Sequence, residues 1–222
     1  MADISRVLPA IDHTNLKQNA TAADIRRLCA EAAEHGFATV AINSCWVALA
    51  AEELAGTGVG ISACIGFPLG AASTAAKVAE AKQAVTDGTT EIDMVINGGL
   101  LEAGDLKAAT DDIRAVVEAV PGTPVKVILE CCLLTDEQKE AACRCALDAG
   151  AAFVKTSTGF SASGATVADV ELMRRTVGDA CQVKAAGGIR CLDDALAMLD
   201  AGADRLGCSA GIKIAEEIDA RR

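Results

Sequence analysis

Residues 152–160 read Ala152-Phe153-Val154-Lys155-Thr156-Ser157-Thr158-Gly159-Phe160. Val154 and the threonines favour a short β-strand, and Gly159 ends it. A strand buried on both faces is normally a continuous apolar run, and an ammonium group is costly to bury unless it is paired or neutralised. Lys155 therefore requires an explanation, and the simplest one is a lysine at a strand edge whose amine reaches water.

A second segment has the same form. Residues 182–189 read Gln182-Val183-Lys184-Ala185-Ala186-Gly187-Gly188-Ile189, again a strand, a lysine and then glycines. Lysines on neighbouring strands of one sheet would bring two ammonium groups close together. Such proximity lowers the pKa of one amine, and a neutral amine near pH 7 is a nucleophile. The pair favours a chemical role over a lysine at a strand edge.

The whole chain alternates between predicted strands and helices. The predicted strands cover residues 8–14, 39–44, 61–67, 91–97 and 125–130, the segments around Lys155 and Lys184, and residues 205–208. Helices are predicted at 22–35, from the end of the second strand to about 54, and at 74–86, 105–120, 135–149, 167–177, 193–201 and 210–220. Eight βα units predict a single-domain (β/α)8 barrel, an α/β fold, over residues 1–222.

Two further observations bear on this fold. Lys126, Lys155 and Lys184 each follow a valine in a predicted strand, at a constant spacing of 29 residues. The alternative is an open doubly wound sheet, which would carry a glycine-rich phosphate loop after its first strand. The residues after Thr14 are Asn15-Leu16-Lys17-Gln18, so the barrel is favoured.

The composition indicates which residue types build the core and which classes of partner are disfavoured. The 222 residues are 51% hydrophobic with 4 Phe, 1 Trp and no Tyr, so Val, Ile, Leu and Ala must build the core. The net charge of -11 argues against binding nucleic acid or an anionic membrane. It does not argue against a small anion held locally by backbone N–H groups. A homodimer and a homotetramer both stay open.

The cysteines and histidines do not form a metal-binding pattern. Ten Cys are present without a CxxC motif, and the only histidines are His13 and His35, so no metal is expected. Most of the cysteines, Cys45 and Cys64 among them, are expected in the core, as suits a reducing compartment. No apolar run has the length of a membrane span or a leader peptide, which predicts a soluble, cytoplasmic protein.

Side-chain alternation places the lysines and an acid inside the barrel. In the fourth strand Ile92, Met94 and Ile96 share the face expected to pack on helices, so Asp93 points inward. The same alternation turns Lys155 and Lys184 inward, near the C-terminal strand ends where barrel active sites lie. Lys126 comes early in its strand, which predicts a structural ion pair in the lower barrel.

Each candidate also has a purely structural interpretation. Asp93 could be only the counter-ion of a buried lysine, and Asp12 an ordinary turn residue. His13 is more often a structural histidine than a ligand. The Gly187-Gly188 pair could be a plain turn, and Ser209 a helix N-cap. Their convergence favours function, because the loops after the last two barrel strands are the usual phosphate site.

Taken together, these segments resemble the deoxyribose-phosphate aldolases, class I aldolases of the (β/α)8 fold. The resemblance runs from Ile11 to Ile214. Its most specific parts are Val154 to Phe160, Glu91-Ile92-Asp93-Met94-Val95-Ile96-Asn97 and Val183 to Arg190. It implies reversible cleavage of 2-deoxy-D-ribose 5-phosphate to acetaldehyde and D-glyceraldehyde 3-phosphate, with small phosphosugars and aldehydes as substrates and no cofactor.

The resemblance also implies roles for individual residues. Lys155 would form the Schiff base, and Asp93 with Lys184 would donate and accept protons. Asp12 would help to hold the hydroxyl side of the substrate. The residues expected around the phosphate are Gly159, Gly187, Gly188 and Ser209.

The chain departs from the family pattern in two places. Ser44 and Cys45 replace a Pro-Tyr pair that many relatives carry, and the absence of Tyr removes the tyrosine tail that some members use in proton transfer. Two other functions stay open. One is a different Schiff-base barrel enzyme, such as a transaldolase or another sugar-phosphate aldolase, and the other is a catalytically silent barrel that binds a phosphosugar.

Overall fold

The computed structural model describes residues 3–221, in which eight parallel strands close into a barrel. Each strand is hydrogen-bonded to the next in chain order, and the last strand pairs with the first. The strands are β1 (Ile11–Asn15), β2 (Thr39–Asn43), β3 (Gly60–Ile65), β4 (Glu91–Val95), β5 (Val125–Ile128), β6 (Phe153–Lys155), β7 (Gln182–Ala186) and β8 (Arg205–Cys208). The predicted (β/α)8 barrel is confirmed, while Met1, Ala2 and Arg222 lie outside the described residues.

Helices surround the strands. Within the described range they are α1 (Ala22–His35), α2 (Val47–Glu53), α3 (Thr74–Thr86), α4 (Gly98–Glu102), α5 (Leu106–Ala119), α6 (Asp136–Asp148), α7 (Val167–Val177), α8 (Leu192–Asp200) and α9 (Gly211–Asp219). Their ends follow local sequence signals. Thr21 and Asp24 form a reciprocal capping box at the start of α1, and Gly36 ends it at φ 65°, a left-handed conformation that suits glycine.

Strands β3, β4 and β5 each end two residues earlier than the sequence predicts, and two further differences have a clear local cause. Residues Leu8–Ala10 form a 3-10 turn rather than the start of β1, because Pro9 has no N–H to give to a neighbouring strand. The short helix α4 follows β4 and was not predicted. Asn97 caps it by accepting hydrogen bonds from the N–H groups of Gly99 and Leu100, which is the local signal for this helix.

The barrel has an apolar outside and a charged inside. Ile92, Met94 and Val154 are buried in the shell between strands and helices, as side-chain alternation predicts. The opposite face of the strands fills the interior with buried polar groups, among them Asp93 and Lys126. Barrel interiors are more often packed with branched apolar residues. The charged interior therefore indicates where the functional site lies.

All ten cysteines are free thiols. Cys64 is buried as predicted, whereas the prediction for Cys45 was wrong, because Cys45 is exposed. Cys45 belongs to the 3-10 turn Ser44–Trp46 between β2 and α2, where the chain runs over the surface. Within residues 3–221, no helix combines the length and apolar character that crossing a membrane requires.

Candidate active site

Six charged side chains inside the barrel form a closed ring of alternating sign, here called the charge ring. In ring order its members are Asp12, Arg205, Glu91, Lys126, Asp93 and Lys184. The six N···O contacts that close the ring measure between 2.5 and 2.7 Å. Lys126 thus makes the predicted lower-barrel ion pair, with Glu91 on one side and Asp93 on the other.

Lys155 is attached to the charge ring through Asp93. The Lys155 Nζ and the Lys184 Nζ each lie 2.7 Å from the same carboxylate oxygen, Asp93 Oδ2. The two lysines are direct partners in the register of β6 and β7. The Ser62 hydroxyl donates to the other oxygen, Asp93 Oδ1, at 2.7 Å. The structure therefore brings both lysines and the acid together, as the sequence predicts, and locks the acid in one orientation.

The electrostatics assign protonation states to the acids and to Lys184. Burial alone would raise the pKa of Asp93, but Lys126, Lys155 and Lys184 hold it well below its usual value. Burial also opposes ionisation of Asp12, yet Lys184, Lys126 and Arg205 lower its pKa to about 2. Burial would lower the pKa of Lys184, but the Asp12 and Asp93 carboxylates outweigh it and raise the pKa above its usual value. This direction favours the cationic form of Lys184 at neutral pH.

The charge ring and Lys155 together do not balance when every group is ionised. Four cationic side chains meet three carboxylates, which leaves one surplus positive charge in a buried site. Buried charges are tolerated when they are paired. Release of one proton from a lysine would leave the cluster electrically balanced.

A cavity of about 340 Å³ opens above Lys155 at the C-terminal ends of β1, β6, β7 and β8. Its wall is formed by Thr14, Asn15, Leu16, Lys17, Lys155, Thr158, Gly159, Phe160, Ala186, Gly187, Gly188, Ile189, Arg190, Gly207, Cys208 and Ser209. The Schiff-base candidate and all four predicted phosphate residues thus share one wall. Asp12, Asp93 and Lys184 are fully buried behind it, so Asp12 meets Lys184 and Arg205 rather than the cavity. The roles of all these residues stay predictions.

Two glycines of this wall both have a positive φ, but the space around them differs. Gly187 has φ 83°, and a Cβ there would lie 3.0 Å from the Cα of Gly164. Gly188 has φ 82°, but a Cβ there would meet no heavy atom within 4 Å, so the space beside Gly188 is open. Ser209 is exposed and does not cap α9, whose N-cap is Ala210. The helix-cap interpretation of Ser209 is wrong.

Sequence reasoning missed several residues of the wall. Arg190 and Lys17 add cations near the glycines, and Thr158 and Phe160 flank Gly159. Arg190 could have been found because it directly follows the Gly187-Gly188-Ile189 turn. Phe160 packs edge-on against the ring of Phe67, with 5.2 Å between centroids, and no sequence pattern predicts that contact.

Ser44, which departs from the family pattern, is held in place by hydrogen bonds to neighbouring residues. The Ser44 hydroxyl donates to one oxygen of Glu80 at 2.7 Å, and the Gly66 N–H donates to the other at 2.8 Å. Glu80 thereby ties the end of β2 to the end of β3. Among the described residues, no three His, Cys, Asp or Glu side chains come together as ligands for a metal ion.

Comparison with known proteins extends the likeness over nearly the whole chain. The family model of DeoC/LacD family aldolases matches residues 6–217. A deoxyribose-phosphate aldolase of Streptococcus equi subsp. zooepidemicus is 56% identical over 204 residues, 92% of this chain and 93% of the relative. One from Streptococcus pneumoniae strain CGSP14 is 55% identical over the same shares.

Solved structures agree. A deoxyribose phosphate aldolase from Aeropyrum pernix, described as a unique tetramer, superposes with a TM-score of 0.89 at 32% identity, covering 99% of this chain and 94% of that one. An aldolase named QR15 superposes with a TM-score of 0.93 at 37% identity, covering 97% of this chain and 96% of that one. The likeness thus includes the barrel as a whole and not the lysine strands alone.

Proposed function

The chain belongs to the DeoC/LacD family of aldolases, and from this membership we propose that it reversibly cleaves 2-deoxy-D-ribose 5-phosphate to acetaldehyde and D-glyceraldehyde 3-phosphate. The whole chain would act as one aldolase domain. The observation that carries this proposal is the position of Lys155, which lines the cavity while its Nζ lies 2.7 Å from Asp93.

Lys155 would form a Schiff base with the aldehyde carbon C1 of the open-chain sugar. Its unprotonated amine adds to C1, and the adduct takes up one proton and loses water to give a protonated imine. The surplus positive charge of the buried cluster favours release of one lysine proton, and Lys155 is the lysine in contact with the cavity. Lys184, held as a cation by Asp12 and Asp93, keeps a positive charge beside the reacting nitrogen.

The imine draws the electrons of the bond that breaks. Acetaldehyde contains two carbons, so this bond is C2–C3. The C3 hydroxyl loses its proton and becomes the aldehyde of D-glyceraldehyde 3-phosphate, while the C2–C3 electrons move toward the iminium nitrogen and leave an enamine on Lys155. The enamine is protonated at C2, and water then releases acetaldehyde. Asp93, held as a carboxylate by three lysines, would accept protons and Lys184 would donate them. Asp12 would act on the substrate through Lys184.

The phosphate would lie against the turns after β7 and β8. Gly187, Gly188 and Ser209 line that part of the cavity, together with Arg190. The protein carries a net charge of -11, so long-range attraction does not favour an anion. Backbone N–H groups of these turns and the local cations Arg190 and Lys17 would supply the attraction instead.

Replacing Gly188 by valine is expected to raise KM for 2-deoxy-D-ribose 5-phosphate by roughly tenfold or more, since hydrogen bonds to a charged group contribute about 1.5–3 kcal/mol each. The new side chain would occupy the open space beside the turn. Activity on unphosphorylated 2-deoxyribose should change much less. Steady-state kinetics on both substrates measure the difference.

Gly122→Val is the matched control, because Gly122 has φ 83° and equally open surroundings but lies before β5, at the other end of the barrel. It introduces the same backbone strain without touching the cavity, so KM should not rise. Equal losses on both sugars in Gly188→Val, in a protein that still melts cooperatively, would mean that the phosphate binds elsewhere.

A product assay separates the proposed reaction from its alternatives. Purified protein incubated with 2-deoxy-D-ribose 5-phosphate should release acetaldehyde. A transaldolase would instead transfer carbon units from a longer ketose phosphate such as fructose 6-phosphate. A barrel that binds either phosphosugar without forming any product would be catalytically silent, and the proposal would then be wrong.

A further inference from the structure

Glu130 has an unusual backbone conformation. Within residues 3–221 it is the only non-glycine residue with a positive φ, at φ 59° and ψ 60°. Residues with a side chain rarely adopt this left-handed conformation, and it persists where surrounding contacts compensate for the strain. Glu130 lies just beyond the C-terminal end of β5, beside the strand that carries Lys155.

The buried Glu130 side chain reaches the loop that follows Lys155. Its Oε1 accepts a hydrogen bond from the Thr158 N–H at 3.1 Å, and its Oε2 accepts one from the Thr158 hydroxyl. Both donors come from one residue, and that residue lines the cavity. The left-handed turn at Glu130 thus serves to aim a carboxylate at Thr158.

The direction of these hydrogen bonds determines whether the Thr158 hydroxyl can donate a hydrogen bond to a ligand or accept one from it. In the hydrogen bond between the two side chains, the Thr158 O–H is the donor and Glu130 Oε2 is the acceptor. The Phe160 N–H donates to the same hydroxyl oxygen at 3.0 Å. A hydroxyl group has one donor and two acceptor positions, so a single acceptor position remains for the cavity.

We propose that Glu130 is a positioning residue that makes Thr158 a hydrogen-bond acceptor toward the cavity, so that the site selects phosphorylated ligands with a hydroxyl group there over their deoxy counterparts. The class of ligand rests on the proposed function. The discrimination between a ligand with the hydroxyl group and its deoxy counterpart requires no chemical step. It can therefore be measured by binding alone.

Two non-reacting ligands measure the contribution of this hydroxyl group to the binding affinity. Glycerol 3-phosphate and 3-hydroxypropyl phosphate share a phosphate and a terminal hydroxyl and differ only in the central hydroxyl. By calorimetric titration the protein should bind glycerol 3-phosphate about tenfold more tightly, because a site built for a hydroxyl donor leaves a buried acceptor unpaired with the deoxy ligand. In Glu130→Gln the amide can donate to Thr158, and the two dissociation constants should agree within about twofold.

Two further variants separate the carboxylate from the backbone. Glu130→Gly adopts a positive φ without strain but lacks the carboxylate, so it should lose the preference as Glu130→Gln does. Thr158→Ser keeps the hydroxyl group and should retain the preference for glycerol 3-phosphate. Equal binding of both ligands by the unmodified protein, or a preference that survives in either Glu130 variant, would overturn the proposal. Failure to form a Schiff base at Lys155 would contradict the proposed function and leave this binding comparison intact.

Discussion

Replacing Lys155 by arginine is expected to abolish Schiff-base formation and to lower kcat on the order of 10⁴-fold or more, as loss of a nucleophile does in other enzymes. A guanidinium group stays protonated and cannot form the imine, yet it can keep an ion pair with Asp93. Borohydride reduction in the presence of acetaldehyde, followed by peptide mass spectrometry, measures the result. The unmodified protein should gain one ethyl group on Lys155, and the variant none.

Lys126 provides the matched control for this experiment. Like Lys155, it is buried and lies 2.7 Å from Asp93, but it contacts the other carboxylate oxygen and is not part of the cavity wall. Lys126→Arg should therefore still trap acetaldehyde on Lys155. A label on Lys126 or Lys184 in the unmodified protein would overturn the assignment of the nucleophile.

Replacing Lys184 by leucine is expected to lower kcat about 10²–10⁴-fold, the range typical of a lost proton-transfer group, while leaving slow trapping at Lys155. The variant removes a cation from the buried cluster but keeps the Lys155 amine. Asp12 retains Arg205 as its partner, and Asp93 retains Lys126, so neither carboxylate is left unpaired. Trapping should be favoured at high pH, because only a neutral amine can form the imine.

Kinetics and trapping have to be compared in the same Lys184→Leu preparation. Unchanged kcat would contradict the role of the lysine pair. Complete loss of trapping, in a protein that still melts cooperatively, would show that Lys184 is needed to form the imine and does more than transfer protons. Either result would change the mechanism proposed for Lys155.

Much of the site could be predicted from local sequence patterns. Period-two alternation along β4 correctly separated Ile92 and Met94 from Asp93, because successive side chains of a strand point to opposite faces. The glycine pair after β7 predicted a turn at the cavity. Cys45 shows the limit of such reasoning, because an apolar neighbourhood in sequence does not reveal that a turn lies on the surface.

By itself the sequence determined the alternation of strands and helices, the barrel that follows from eight such units, and the inward direction of Lys155, Lys184 and Asp93. These properties depend on periods of two and 3.6 residues, which are local. Only the tertiary structure decided how Asp12, Glu91 and Arg205 join these charges in a closed ring. Asp12 pairs with Arg205, 193 positions away, because closure of the barrel places β1 beside β8, and the charge ring is completed only through that closure. Contacts between residues so distant in the chain depend on barrel register, and no local pattern records it.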